Sequence, residues 1–212
     1  MRPLAPATLA LALTLGAARP ARGDDEVGVG LPAPAFALGT LDPDTAGATW
    51  LALDAFAGEE PDDPGSRLVL LAFFASWCGP CEQELPVLQR LHQTYRAHGL
   101  RVIGIDVDSD RAGIVRARAL LAARRVTFPV LSDPHHLVAR RYLGEAGPIP
   151  SIFLVGRDGV VVLIERGYVP DLALALAPDI ELALGFRAPT STPASAPTST
   201  PATTPVRAVP RR

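Results

Sequence analysis

The only two cysteines of this 212-residue chain stand three positions apart in Trp77-Cys78-Gly79-Pro80-Cys81, directly after the apolar run at 68–74. Random placement would give this spacing on the order of one time in a hundred, so the pair asks for a chemical reason. Residues i and i+3 in the first turn of a helix lie about 5–6 Å apart, inside the Cα window of a disulfide. A buried strand feeding a helix that opens at Cys78 aims the free first-turn N–H groups and the positive end of the helix dipole at the leading sulfur. That favours thiolate over thiol and makes Cys78 the nucleophile. Cys81, one turn in, is shielded and resolves the mixed disulfide. Pro80 suits the opening turn, where its missing N–H costs nothing. The pair reads as a reversible disulfide.

Zinc and a purely structural disulfide are the rival readings. Zinc needs four ligands, and the chain offers only His92, His98, His135 and His136 beside the cysteines. Cys81, His92 and His98 loosely match a Cys2His2 spacing, yet residues 82–98 read as one helix. That helix sets His92 about 16 Å from Cys81, out of reach of a shared ion. The four histidines therefore read as surface or helix residues, and neither a metal nor an organic cofactor is implied.

About half the chain is apolar, enough for one domain with a real core. The formal charge of −2 argues against nucleic acid as a partner, and all twenty basic residues are arginines, with lysine and asparagine both absent. Residues 1–23 read as a targeting segment. Arg2 precedes an apolar stretch at 4–18, and Ala21-Arg22-Gly23 offers a small-x-small cleavage site before Asp24-Asp25-Glu26. Interrupted by Pro6, Thr8 and Thr14, that stretch is short for a membrane span. Export with cleavage is expected, with an uncleaved anchor that attaches the protein to the membrane as the alternative. Residues 187–212, with Pro189, Pro193, Pro197, Pro201 and Pro205 every fourth position, read as a disordered Pro/Ser/Thr-rich tail.

Between these ends the hydrophobic periods alternate as an α/β domain requires. A short strand is predicted at 49–56, a loop at 59–66, and at 68–74 a strand buried on both faces. The helix at 82–98 carries Leu85, Leu88, Leu91 and Tyr95 on one face, with Pro86 inside it as a kink. A second buried strand follows at 100–107, then a helix at 110–125 and an extended piece at 129–131. Asp133 is predicted to cap a helix running through Val138 to Tyr142. Strands at 151–155 and 160–165 form a hairpin around Gly156-Arg157-Asp158-Gly159, and a helix at 171–184 ends at Gly185.

Strand, Trp-Cys-Gly-Pro-Cys, kinked helix, strand, helix, then Ile149-Pro150 before a hairpin and a last helix: this order resembles the thioredoxin fold. More narrowly it resembles the exported TlpA/ResA-like thiol-disulfide oxidoreductases. The matching stretches are Leu31-Pro32-Ala33-Pro34-Ala35-Phe36-Ala37-Leu38, 73–86, 104–108, Thr127-Phe128-Pro129-Val130-Leu131-Ser132-Asp133 and 149–155. The resemblance implies a central mixed sheet flanked by helices over residues 24–186, with an N-terminal extension and the extra element of that group.

It also implies that Pro150 is a cis-proline facing the disulfide, and that Trp77, Gly79, Pro80, Ile149 and Pro150 meet a protein substrate. Glu84, three residues past Cys81, holds the position of an acid that manages protons in that family; a first-turn acid complementing the helix dipole is the bland alternative. One departure stands out. Cytoplasmic thioredoxins carry a buried aspartate six residues before the first cysteine, where this chain has Ala72 and no lysine to accompany it.

The expected function is a periplasmic or otherwise extracytoplasmic protein-disulfide reductase, a monomer, fed electrons from a membrane donor and acting on envelope proteins such as apocytochrome c. A peroxiredoxin-like peroxidase is an alternative, although Phe74-Ala75-Ser76-Trp77 lacks the Pro and Thr/Ser such enzymes place before their cysteine. A thioredoxin-fold binding module with a structural disulfide is another.

Overall fold

Seven consecutive apolar residues at Leu68–Phe74 (β3) can be buried only if both faces of their strand are covered, and all seven are. The computed structural model, which describes residues 27–186, sets β3 at the centre of a seven-stranded mixed sheet. The other strands are Ala37–Thr40 (β1), Trp50–Ala52 (β2), Leu100–Asp106 (β4), Val130–Ser132 (β5), Ser151–Gly156 (β6) and Val161–Arg166 (β7). Their order is β2-β1-β5-β4-β3-β6-β7. Strands β3, β4 and β5 run parallel, while β6, β7, β1 and β2 join antiparallel. The expected export segment and C-terminal tail lie outside the described residues.

Alternation along β3 divides the core into two layers. Leu68, Leu70, Ala72 and Phe74 face the helices Gly79–Tyr95 (α2), Arg111–Ala123 (α3) and Leu172–Leu184 (α5) through Leu85, Leu88, Ala117, Leu176 and Ile180. Val69, Leu71 and Phe73 face the opposite layer, which contains Val138 and Tyr142 of Leu137–Leu143 (α4) together with Phe36 of the N-terminal extension. Tyr142, fully buried, donates its hydroxyl to the Pro34 carbonyl at 2.7 Å and so pins the extension to this layer.

Several predicted elements change shape. The strand expected at 49–56 ends at Ala52 and continues as a 3-10 turn at Leu53–Ala55, which buries Leu53. Helix α2 begins at Gly79 rather than residue 82 and ends at Tyr95, with a 3-10 turn over Arg96–His98. It passes through Pro86 without a break. Strand β1 and the short helix Pro43–Ala46 (α1) carry too few residues to show a period, and the sequence reading missed both. Strand β1 is held by pairing with β5, about ninety positions on, through Gly39 with Ser132 and Thr40 with Leu131. His92 is a helix residue, as expected, and is buried on α2 with its ring against Phe128, because α2 is covered there by the chain entering β5.

Candidate active site

The chain leaves β3 at Phe74, turns through Ala75–Trp77, and enters α2 with Cys78 as the N-cap residue. The Cys78 N–H donates to the Ala75 carbonyl at 3.1 Å, and the Cys78 sulfur accepts the Cys81 N–H at 3.2 Å. Sulfur therefore takes the place an oxygen usually holds at a helix N-cap. Cys78 and Cys81 form a disulfide with their Cα atoms 5.2 Å apart. Cys78 retains 6% exposure and Cys81 only 1%, so an incoming group meets Cys78 first. Trp77 projects from the rim at 66% exposure. Gly79 is also exposed, and nothing lies within 4 Å of where its Cβ would be, so packing does not dictate the residue between the cysteines.

The Ile149–Pro150 bond is cis, and Pro150 is buried where the chain enters β6. Behind the disulfide, Pro150, Ala72, Cys81, Glu84, Leu88 and Ile152 share the wall of a void of about 10 Å³. Ala72 contributes a methyl group from β3, and the carboxyl of this interior comes from the helix side instead, as Glu84.

Glu84 is 3% exposed, and its Oε1 accepts the Val169 N–H at 3.2 Å. Burial pushes it up to about 7, with the Val169 hydrogen bond pulling the other way. Glu84 also lines a wider cavity of about 190 Å³ between α2 and the start of α5, beside Gln83, Arg90 and Tyr168. The Tyr168 hydroxyl donates to Gln83 Oε1 across this cavity at 3.3 Å. Glu84 thus stands between the disulfide and a larger opening. Glu84 lies beyond the first turn of α2, whose acid is Glu82, paired with Arg124.

The histidines take no part in this arrangement. His92 packs on Phe128 and is held low by burial, His98 packs on Phe186, and His136 Nε2 stands 2.8 Å from the Val107 carbonyl. Among the described residues no group of three His, Cys, Asp or Glu side chains could hold a metal ion.

Sequence reasoning passed over two acids at this end of the sheet. Asp106 closes β4 at zero exposure and Asp108, two residues on, is 2% exposed. Asp108 accepts both the backbone N–H and the hydroxyl of Ser76, at 2.6 and 3.0 Å. Two aspartates continuing an apolar strand were the available signal, since a buried acid needs donors arranged for it.

A match to the AhpC/TSA family spans residues 29–164. A Bacillus cereus protein named thiol-disulfide oxidoreductase ResA is 32% identical over 103 residues, covering 49% of this chain and 57% of that protein. The Bacillus subtilis protein of the same name is 26% identical over 108 residues, 51% of this chain and 58% of its own length. The chain thus spans little more than half the length of these curated relatives. A Chlorobium tepidum crystal structure, described as a candidate thiol:disulfide interchange protein DsbE, is 34% identical with a TM-score of 0.62. The alignment covers 76% of this chain and all of that one. A secreted Mycobacterium tuberculosis disulfide oxidoreductase, 17% identical over 66% of this chain and 91% of its own, shares the thioredoxin fold at a TM-score of 0.51. The family match takes in β3, the disulfide and the cis-proline together, and the chain belongs to the AhpC/TSA family.

Proposed function

We propose that the protein is a thiol-disulfide oxidoreductase that acts outside the cytoplasm and reduces disulfides of envelope proteins such as apocytochrome c. The observation that carries this reading is the disulfide at the N-terminus of α2, with Cys78 the more open of its two residues and its sulfur accepting a first-turn N–H. In the reduced protein the Cys78 thiolate attacks a substrate disulfide. A Cys78–substrate bond forms, and the first substrate sulfur leaves as a thiolate that takes up a proton. The Cys81 sulfur then attacks Cys78, closing the internal disulfide and releasing the second substrate thiolate. Two electrons pass from the dithiol to the substrate, and a dithiol donor in the membrane restores them.

Glu84 supports this cycle as the proton holder for Cys81. At about 7 it takes a proton from a thiol, or returns one, near neutral pH, and the cavity beside Tyr168 gives that proton a route separate from the substrate face. Trp77, Gly79, Pro80, Ile149 and Pro150 form the substrate surface of this reading. The extracytoplasmic setting rests on the residue 1–23 pattern and on the resemblance to the exported TlpA/ResA-like group. Among the described residues no helix is long and apolar enough to cross a membrane.

Reduction of insulin disulfides by the full chain in the presence of dithiothreitol tests the reading, with Cys78→Ser as the blank. Turnover that disappears in the blank supports the oxidoreductase. An inactive wild-type protein would instead favour a binding module, and peroxide consumption without disulfide reduction would favour the peroxiredoxin-like alternative.

A further inference from the structure

The turn that delivers Cys78 to its helix is fastened from behind by an acid that the exchange chemistry leaves unused. Ser76, two residues before Cys78, gives both of its donors to Asp108 across 32 positions of sequence. Both oxygens of this one buried carboxyl are thereby engaged by the turn. Room for it is built into α3. A Cβ on Gly113 would stand 2.5 Å from Asp108 Oδ1, so only a glycine lets the helix approach this closely. Asp106 sits directly behind, its Oδ1 accepting the Asp108 N–H at 3.3 Å.

We infer that Asp108, backed by Asp106, is a positioning residue for Cys78: the pair holds the Ser76 turn so that the Cys78 sulfur stays over the N-terminus of α2. Substrate does not touch either acid. They act through Ser76 and through the Cys78 N–H bond to Ala75 that the turn maintains.

The hold depends on a proton. Burial first, then the neighbouring Asp108 carboxyl, push Asp106 up to about 8, so Asp106 keeps its proton near neutrality. Arg116 of α3 donates to the Ser76 hydroxyl at 3.3 Å, and Asp110 caps α3 at Gly113. From the segment after β5, the Asp133 N–H bonds the Asp106 carbonyl and His136 bonds the Val107 carbonyl. When Asp106 ionises, a charge appears in a buried site directly behind Asp108, and the grip on Ser76 slackens.

The inference rests on the oxidoreductase reading for its purpose, but its test needs no protein substrate. Alkylation of Cys78 by iodoacetamide is followed across pH in the reduced full chain carrying Cys81→Ser. Asp108→Asn should slow alkylation at pH 7 by about tenfold or more, since small displacements of a reacting group cost rate on that scale. Ser76→Ala, which changes no charge and keeps the backbone bond, should slow it by about two- to tenfold, the worth of one hydrogen bond. The pH profile of Cys78 alkylation should carry an inflection near pH 8 in the parent that is lost in Asp106→Asn, because only the parent has the Asp106 proton to lose.

Unchanged or faster alkylation of Asp108→Asn overturns the inference. If that variant does not fold, parent-like rates in Ser76→Ala and a parent-like profile in Asp106→Asn overturn it equally. Insulin reduction by the wild-type chain, measured alongside, separates the two questions. Its absence strikes the proposed function, while the alkylation profiles alone judge the positioning role.

Discussion

Replacing Cys81 with serine should stop exchange at its covalent intermediate, because the mixed disulfide through Cys78 then has no internal thiol to resolve it. Cys81→Ser expressed in the native host is expected to accumulate Cys78-linked adducts, read by non-reducing electrophoresis and mass spectrometry. A haem-binding Cys-x-x-Cys-His protein among them would mark cytochrome maturation, a wide mixture would mark general reduction, and no adduct at all would count against the oxidoreductase. Glu84 makes a second prediction at this scale. Burial against Ala72, Cys81 and Pro150 lifts it to about 7, so the exchange rate of the wild type should show an inflection near that pH. Glu84→Gln keeps the shape and the Val169 bond but cannot hold the proton, and its profile should lose the inflection with the fold intact, checked by circular dichroism.

At the scale of elements, α4 tests how a buried acid organises a helix from a distance. The sequence points to Asp133 as the cap, but the helix begins four residues later, at Leu137, after a left-handed residue at His136. Asp133 caps it all the same. Its Oδ1 accepts the Leu137 N–H at 2.9 Å, and Oδ2 accepts those of Val138 and Ala139 at 3.0 and 2.7 Å. Asp133→Ala leaves three donors bare, those of Val138 and Ala139 buried, and should cost about 2 kcal/mol in urea unfolding. Since α4 carries Val138 and Tyr142 into the second core layer, the same variant should expose the Pro34 segment to proteolysis. An unfolding midpoint equal to the wild type's would show that the three bonds contribute nothing net.

For the whole molecule, the two raised acids set how stability depends on pH. Glu84 at about 7 and Asp106 at about 8 both lie above their ordinary values of 4.5 and 3.8. Between pH 4 and those values the folded chain keeps protons that the unfolded chain has released. Stability is therefore fully present below pH 4 and is lost as pH rises through 8, by up to about 1.4 kcal/mol per pH unit for each proton. Urea midpoints should fall between pH 5 and pH 8, and the double variant Glu84→Gln, Asp106→Asn should flatten that fall. The sequence by itself determined the buried strand, the cysteine pair at a helix start and the α/β alternation, because periodicity and close spacing are local properties that chain neighbours carry. Only the tertiary structure decided that Glu84 is an interior acid, since Val169 reaches it from 85 positions away, and that Asp108 holds Ser76 across 32. It likewise decided β1, whose pairing with β5 comes from a distant strand rather than from its own four residues. Burial and hydrogen-bond partners come from which segments meet in space, and one chain's local pattern does not contain that.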